Sequence, residues 1–156
     1  SIVTQETGLI ELKDGRIMMF IRADQGFQAM SFSADQGKTW SAVQNTTIYS
    51  PLSPASIARI PSTGDLLMVW NNNKTTDKSW HKGARTPLTI AVSSDEGKSW
   101  KHIRDIETDP DGWYCYTAIH FTAKDVLLGY CAGSQSAKTH LSVLQIRKMS
   151  QKSLYK

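Results

Sequence analysis

The eight-residue phrase SADQGKTW occupies Ser33–Trp40, and it returns as SSDEGKSW at Ser93–Trp100. Both copies hold Ser, Asp, Gly, a hydroxyl residue and Trp at the same spacing. In a tight turn an Asp carboxylate accepts backbone N–H groups, and Gly adopts a positive φ without strain. We therefore expect each phrase to close a turn between two strands, with Trp packed beneath it, and to have a structural role. The residues concerned are Asp35, Trp40, Asp95 and Trp100.

Three other stretches share one pattern, in which apolar runs flank a short turn. Such a pattern is typical of a β-hairpin. No stretch longer than one turn shows helical periodicity. The three stretches are LIELKDGRIMMFIR (9–22), SIARIPSTGDLLMVW (56–70) and TAIHFTAKDVLLGYCA (117–132).

A further strand follows each hairpin. After the first two it ends in the eight-residue phrase, and after the third, THLSVLQI (139–146) is a candidate strand without the phrase. A repeat of about sixty residues with three to four strands favours a β-propeller over a sandwich, which does not predict one phrase per repeat. We predict an all-β fold of four-stranded antiparallel blades. About three blades form a partial propeller domain over residues 1–156, with repeats at 6–50, 51–112 and 113–150.

Composition excludes several classes of protein. The net charge of +4 suits an anionic partner, but no dense basic run predicts nucleic-acid binding. No apolar run reaches the roughly 18 residues of a membrane span, so we expect no membrane partner. Cys115, Cys131 and the four His residues lack the spacing of metal ligands. We therefore expect no metal, no cofactor, and two buried free thiols.

The repeated phrase is the Asp box, and two copies on propeller-like repeats resemble the sialidases (neuraminidases). A stronger match lies upstream of the first box. Sialidases place a Glu before a Glu-Leu-x-Asp-Gly hairpin and an Arg at the end of its second strand. Here Glu6 precedes the first hairpin and Arg22 closes it. The family often has Pro after that Glu, whereas this chain has Thr7.

The resemblance continues around the second box and covers nearly the whole chain, as the C-terminal half of a sialidase propeller. Sialidases commonly place another Arg of the substrate-binding triad at the start of the strand that leads into this box, and Arg85 stands there. The family then has a Tyr followed by Ser or Thr at the head of an alternating strand. Tyr116 and Thr117 in YTAIHF fit that description. Tyr114 is a rival, since alternation would put it on the same side of an extended strand.

The resemblance implies an exo-sialidase, a retaining glycoside hydrolase that releases terminal sialic acid. Sialic acid carries a carboxylate on its anomeric carbon, so a neutral phenol attacks there with less repulsion than a carboxylate. A phenol needs a base, because its reference pKa is about 10. The resemblance implies Tyr116 as the nucleophile and Glu6 as its base. Arg22 and Arg85 would bind the substrate carboxylate through paired hydrogen bonds.

Other residues carry weaker signals. Arg59, in Arg-Ile-Pro, echoes the family motif for its first substrate-binding Arg. That motif precedes every Asp box, whereas Arg59 follows one, so we expect a structural role. We interpret Asp109 and Asp111 as loop residues. On position alone, further candidates for lining a sugar pocket are Trp113, Tyr130 and Asn71–Asn73.

Two parts of the sialidase site have no match in this chain, namely the first Arg and the Asp that acts as acid/base. We expect both in an N-terminal propeller half, the missing partner of this chain, and we expect residues 1–156 alone to be inactive. The resemblance also favours a secreted or periplasmic location. Two alternatives remain open at this point. They are a non-catalytic Asp-box propeller that binds carbohydrate or protein, and a glycosidase that acts on neutral sugars with two carboxylates.

Overall fold

The computed structural model describes residues 2–74 and 85–156. Within these ranges the chain forms eleven β-strands and one closing 3₁₀ helix. None of the described helical segments is long and apolar enough to cross a membrane. The elements are β1 (Thr4–Glu11), β2 (Ile17–Ala23), β3 (Phe27–Ser33), β4 (Gln44–Tyr49), β5 (Ser56–Arg59), β6 (Leu66–Asn71), β7 (Leu88–Ser93), β8 (Lys101–Glu107), β9 (Cys115–Phe121), β10 (Asp125–Ala132), β11 (Val143–Ser150) and the 3₁₀ helix Gln151–Tyr155.

The strands form three antiparallel sheets, each made of strands that are consecutive in the chain. Their orders are β1-β2-β3-β4, β5-β6-β7-β8 and β9-β10-β11. The first strands of the three sheets contact one another, β1 with β5 and β5 with β9. This is the arrangement of blades that fan outward from a propeller axis. The predicted all-β propeller fold with about three blades is confirmed, and we call the sheets blades 1, 2 and 3.

The third blade differs from the prediction in two ways. Among the described residues it has three strands, whereas each of the other blades has four. Its outer strand, β11, begins at Val143 rather than at Thr139. The reason is local, because Ser142 donates its backbone N–H to the Thr139 carbonyl at 3.1 Å and so closes a turn.

Apolar side chains pack between the faces of neighbouring blades. Between blades 1 and 2 the core includes Leu12, Met18 and Leu66, with Trp100 packed against it. A larger core joins blades 2 and 3 and includes Val69 and Leu128. Strands β6 and β7 are buried along their whole length, since they lie between two other blades. Burying each such side chain contributes roughly 1.5–3 kcal/mol, so blade packing is a main source of stability.

Each Asp box is a closed hydrogen-bonded turn, as expected. In the first copy Asp35 accepts the Thr39 backbone N–H at 2.8 Å, the Thr39 hydroxyl at 2.6 Å and the Ser33 hydroxyl at 2.8 Å. Gly37 has a φ of 88° and donates its N–H to the Ser33 hydroxyl. The second copy repeats these bonds around Asp95. In both boxes these bonds, led by the Thr or Ser hydroxyl, lower the pKa of the carboxyl to about 2.

Glu96 in the second box also ties blade 2 to blade 1. It accepts a two-pronged contact from Arg59, with both N···O distances at 2.9 Å, and the backbone N–H of Lys13 at 2.8 Å. Arg59 reaches further to the Glu11 carbonyl at 2.7 Å, so it has a structural role. The Arg59 contact is the main cause that lowers the pKa of Glu96 to about 2. The first box has Gln36 at this place, with nearly the same φ.

We predict that Glu96→Gln lowers the free energy of unfolding by about 1 kcal/mol at pH 7, because one charged partner of Arg59 is lost. The pKa of Glu96 is lower in the folded chain than its usual 4.5. Its contribution is therefore complete above pH 4.5 and declines as the pH falls toward 2. Urea unfolding at several pH values measures this. Gln36→Glu is the matched control and should change little, whereas equal midpoints for Glu96→Gln and the native chain at pH 7 would contradict the prediction.

Candidate active site

The four residues singled out by the sequence lie at one end of the blades. Glu6 is near the start of β1, Arg22 is near the end of β2, and Tyr116 is near the start of β9. Arg85 comes three residues before β7. Because neighbouring strands run antiparallel, these positions lie at the same end of the sheets. The Asp boxes, between β3 and β4 and between β7 and β8, lie at the opposite end. The turn-forming phrase is therefore remote from the candidate site.

Irregular backbone presents two of these side chains. The β1–β2 register shifts between Gln5 and Thr7, which places Glu6 in a bulge. The β9–β10 register shifts between Gly129 and Cys131, opposite Tyr116, which has a φ of 56°. A bulge turns a side chain out of the regular alternation, and left-handed backbone at a bulky residue persists where the surrounding structure holds it. Both features lie on inner strands and direct Glu6 and Tyr116 toward each other.

Glu6 joins the tyrosine to an arginine. The Tyr116 hydroxyl donates to Glu6 Oε1 at 3.1 Å, and Arg22 Nη1 donates to Glu6 Oε2 at 2.5 Å. Tyr116 is 48% exposed and the Glu6 side chain 46%, whereas the Arg22 side chain is only 3% exposed. One oxygen of the Glu6 carboxylate is thus held by the buried Arg22, and the other contacts the exposed phenol of Tyr116. This geometry allows Glu6 to receive the phenolic proton.

Arg85 lies beside the same tyrosine. Its guanidinium carbon is 5.8 Å from the centroid of the Tyr116 ring and 6.0 Å from that of the Trp113 ring. Its side chain also donates to the sulfur of Cys115. On the main chain, the Arg85 carbonyl accepts the Tyr114 N–H at 3.0 Å. Arg85 therefore places a partly exposed positive charge between two aromatic rings at the edge of the site.

Cys115 lies beside Arg85, which donates to its sulfur. Burial raises the pKa of its thiol, while the positive charges of Arg85 and Arg22 act in the opposite direction. The Ser53 hydroxyl is 3.6 Å from this sulfur and donates to Asn71 at 2.6 Å. Ser53, Asn71 and Cys115 thus form a buried polar layer next to the candidate site.

The structure separates the two candidate tyrosines. Tyr114 is only 7% exposed, and its ring packs edge-on against the Tyr130 ring with centroids 6.1 Å apart. It precedes β9, and the positive φ of Tyr116 interrupts the alternation between them. The expectation that both tyrosines lie on one side is therefore wrong. Burial also raises the pKa of Tyr114, and Tyr116 alone of the two contacts Glu6.

Several weaker candidates have structural roles. Tyr130 is buried and donates to Glu107, which Arg147 also contacts at 2.7 Å, and this cluster ties blade 2 to blade 3. Burial raises the pKa of Tyr130 to about 12. Asp111 holds the loop after β10 by accepting the Ser136 backbone N–H at 2.8 Å.

The sequence did not predict that His140 contributes to the wall of the site. The His140 ring lies edge-on to Trp113, with centroids 5.5 Å apart, and Trp113 in turn flanks Arg85. His140 belongs to an irregular loop, and no spacing in the sequence indicates its position. Of the other histidines, His81 lies outside the described residues.

The site opens into a cleft of about 520 Å³ along the inner strands. Glu6 and Tyr116 form one end of it, and small residues such as Gly8, Ser56 and Ala58 line its length. In the described parts of the chain no three His, Cys, Asp or Glu residues are grouped to hold a metal ion. This end of the cleft is lined by the phenol of Tyr116 and the carboxylate of Glu6, whereas Arg22 lies behind Glu6 and Arg85 beside Tyr116, and neither arginine lines the cleft.

The fold and the site define a β-propeller with Asp-box turns at one end and a Tyr–Glu–Arg constellation at the other. The chain belongs to the BNR repeat-like domain family, whose profile matches residues 5–129. No curated protein sequence matches the chain.

Several solved structures share the fold. The intramolecular trans-sialidase from Ruminococcus gnavus, solved with oseltamivir carboxylate, is 19% identical with a TM-score of 0.73, over 97% of this chain and 33% of that one. The NanB sialidase from Streptococcus pneumoniae is 23% identical with a TM-score of 0.74, over 96% and 24%. The α-L-arabinanase from Penicillium chrysogenum, solved with arabinobiose, is 16% identical with a TM-score of 0.64, over 98% and 47%. The chain therefore spans less than half the length of each of these proteins.

The two thiols should differ in reactivity. Cys115 is buried and its pKa is raised, whereas Cys131 is partly exposed, which departs from the expectation of two buried thiols. Because the thiolate is the reactive form, we expect iodoacetamide at pH 8 to alkylate Cys131 first. Mass spectrometry of the two peptides measures the rates, with a urea-unfolded sample as control. Equal rates in the folded chain would contradict the burial of Cys115.

Proposed function

We propose that this chain carries part of the active site of an exo-sialidase, a retaining glycoside hydrolase that releases terminal sialic acid from glycoconjugates. The observation that carries the proposal is the 3.1 Å hydrogen bond from the Tyr116 hydroxyl to Glu6. Tyr116 is the nucleophile and Glu6 its base. Arg22 and Arg85 bind the substrate carboxylate.

The chemistry of the substrate explains this choice of residues. The anomeric carbon of sialic acid bears a carboxylate, and an oxocarbenium-like transition state develops beside that charge. Glu6 takes the phenolic proton as the Tyr116 oxygen bonds to the anomeric carbon and the glycosidic bond breaks. The departing oxygen receives a proton from a general acid. Water then cleaves the Tyr116–sugar bond with a second inversion, so the product retains the configuration of the substrate.

The two arginines have different surroundings and therefore different tasks. Arg85 is partly exposed beside Tyr116, so its planar fork is available for a substrate carboxylate. Arg22 is buried and holds Glu6, so it orients the base in addition to its proposed part in binding.

The proposed enzyme needs more than this chain. The first substrate-binding Arg and the acid/base Asp have no candidate among its residues, and the chain spans only 33% and 24% of the two sialidases described above. We infer that an N-terminal propeller half supplies both residues. On this proposal residues 1–156 alone are inactive, since a missing general acid typically costs about 10²–10⁴ in rate.

The nucleophile and the base are tested in a protein that carries the complete propeller. Tyr116→Phe and Glu6→Gln should each lower kcat for a fluorogenic sialoside by about 10²–10⁴, because the proton transfer is lost. Tyr114→Phe is the matched control and should retain activity. A fluorosialosyl fluoride should label Tyr116 covalently, as mass spectrometry of the peptide would reveal. Full activity of Tyr116→Phe would refute the assignment, and ligand binding without any turnover would favour a non-catalytic propeller.

Specificity is tested at Arg85. Arg85→Lys should raise KM for the sialoside about tenfold or more, because an ammonium group cannot reproduce the two-pronged contact with a carboxylate. Arg16→Lys is the control, since Arg16 is exposed and pairs with Asp14 in the β1–β2 turn. Steady-state kinetics with sialoside and arabinoside substrates provide the measurement. Turnover of arabinosides with no turnover of sialosides would show that the protein acts on neutral sugars.

A further inference from the structure

The bulge at Tyr116 is held from outside its own sheet. Ala118 pairs with Gly129 and Cys115 with Cys131, so Tyr116 and Thr117 together face the single residue between those partners in β10. Tyr116 has a φ of 56°, which bulky side chains seldom adopt. Such a conformation persists only where the surrounding structure holds it. The contacts on either side of Tyr116 therefore decide where its phenol points.

Ser56 supplies the contact on the C-terminal side. Its hydroxyl donates to the Thr117 carbonyl at 2.6 Å. Ser56 is the first residue of β5, the inner strand of the neighbouring blade, and it lines the same cleft as Glu6 and Tyr116. On the N-terminal side, the Tyr114 N–H donates to the Arg85 carbonyl. Residues of blade 2 thus form hydrogen bonds with the backbone of blade 3 on both sides of Tyr116.

The distance between Glu6 and Tyr116 depends on three blades, because the two residues lie on blades 1 and 3 with blade 2 between them. Glu6 is on blade 1, Tyr116 is on blade 3, and Ser56 lies on the strand between them. A displacement of about 1 Å at a reacting group can lower a rate about 10²-fold. The Ser56 hydroxyl donates to the carbonyl of the residue that follows Tyr116. Because this bond engages the hydroxyl with the backbone of the bulge, Ser56 bears on the position of the phenol through that backbone.

We propose that Ser56 is a positioning residue for Tyr116, whose hydroxyl holds the Thr117 carbonyl and so keeps the phenol against Glu6. The inference rests on the proposed sialidase function of Tyr116. Its structural content is independent of that function, because the hydrogen bond and the backbone conformation are observable without turnover.

The kinetic test compares three variants in a protein with the complete propeller. Ser56→Ala should lower kcat about 10–100-fold, with KM within about threefold of the native value, and should slow covalent labelling of Tyr116 to the same extent. Ser56→Thr keeps the hydroxyl and should restore most of kcat. Ser31→Ala is the matched control, because the Ser31 hydroxyl makes a similar 2.7 Å bond to the Ser41 carbonyl in blade 1. Rates are normalised to active sites titrated with the labelling reagent.

A crystal structure of Ser56→Ala completes the test. We expect Tyr116 to leave the positive φ region and its hydroxyl to move out of hydrogen-bond reach of Glu6. An unchanged Tyr116 in that structure, an unchanged kcat, or an equal loss in Ser31→Ala would each overturn the role of Ser56. If the native protein neither hydrolyses sialosides nor becomes labelled at Tyr116, the proposed function fails. The crystal structure still decides whether Ser56 holds the bulge.

Discussion

The hydrogen bond between Tyr116 and Glu6 joins residues 110 positions apart, and the site exists only because three inner strands meet at one axis. Neither residue can reach the other from within its own blade. The apolar core between blades 2 and 3 fixes the distance on one side, and the smaller core between blades 1 and 2 fixes it on the other. Polar ties reinforce both interfaces, through Glu96 and Arg59 at one and through Glu107 and Arg147 at the other.

The turn-forming residues lie at one end of the blades, and the residues with a proposed catalytic role lie at the other. At one end, Asp35 and Asp95 each accept three hydrogen bonds within their own turns, and the pKa of each carboxyl falls to about 2. The cleft lies at the opposite end. There, among the described residues, the Glu6 side chain contacts Tyr116 and Arg22 and remains nearly half exposed. A rigid turn and a reactive carboxylate thus require opposite surroundings.

Much of the fold and part of the site could be predicted from the sequence. Hairpin patterns and the repeated phrase report local turn chemistry, so they located the blades. The order of Glu6, Arg22, Arg85 and Tyr116 follows a family pattern, and the structure brings these residues to one end of the blades. The choice of Tyr116 over Tyr114 could not be made from alternation, because a single positive φ reverses it. The contacts of Ser56 and Cys115 could not be predicted from the sequence either, because their partners lie on another blade or on distant loops.

The charges at the site support the proposed choice of an anionic substrate. Among the described residues that meet there, Arg22 and Arg85 carry two positive charges and Glu6 carries one negative charge. In a partly buried site this surplus is poorly screened by water, so a ligand carboxylate is attracted more strongly than it would be in solution. When, in the proposed reaction, Glu6 takes the Tyr116 proton and the phenolic oxygen bonds to the sugar, the pair loses its negative charge, so the attraction for the substrate carboxylate is not weakened. This charge balance supports the proposed preference for a sialoside over a neutral sugar.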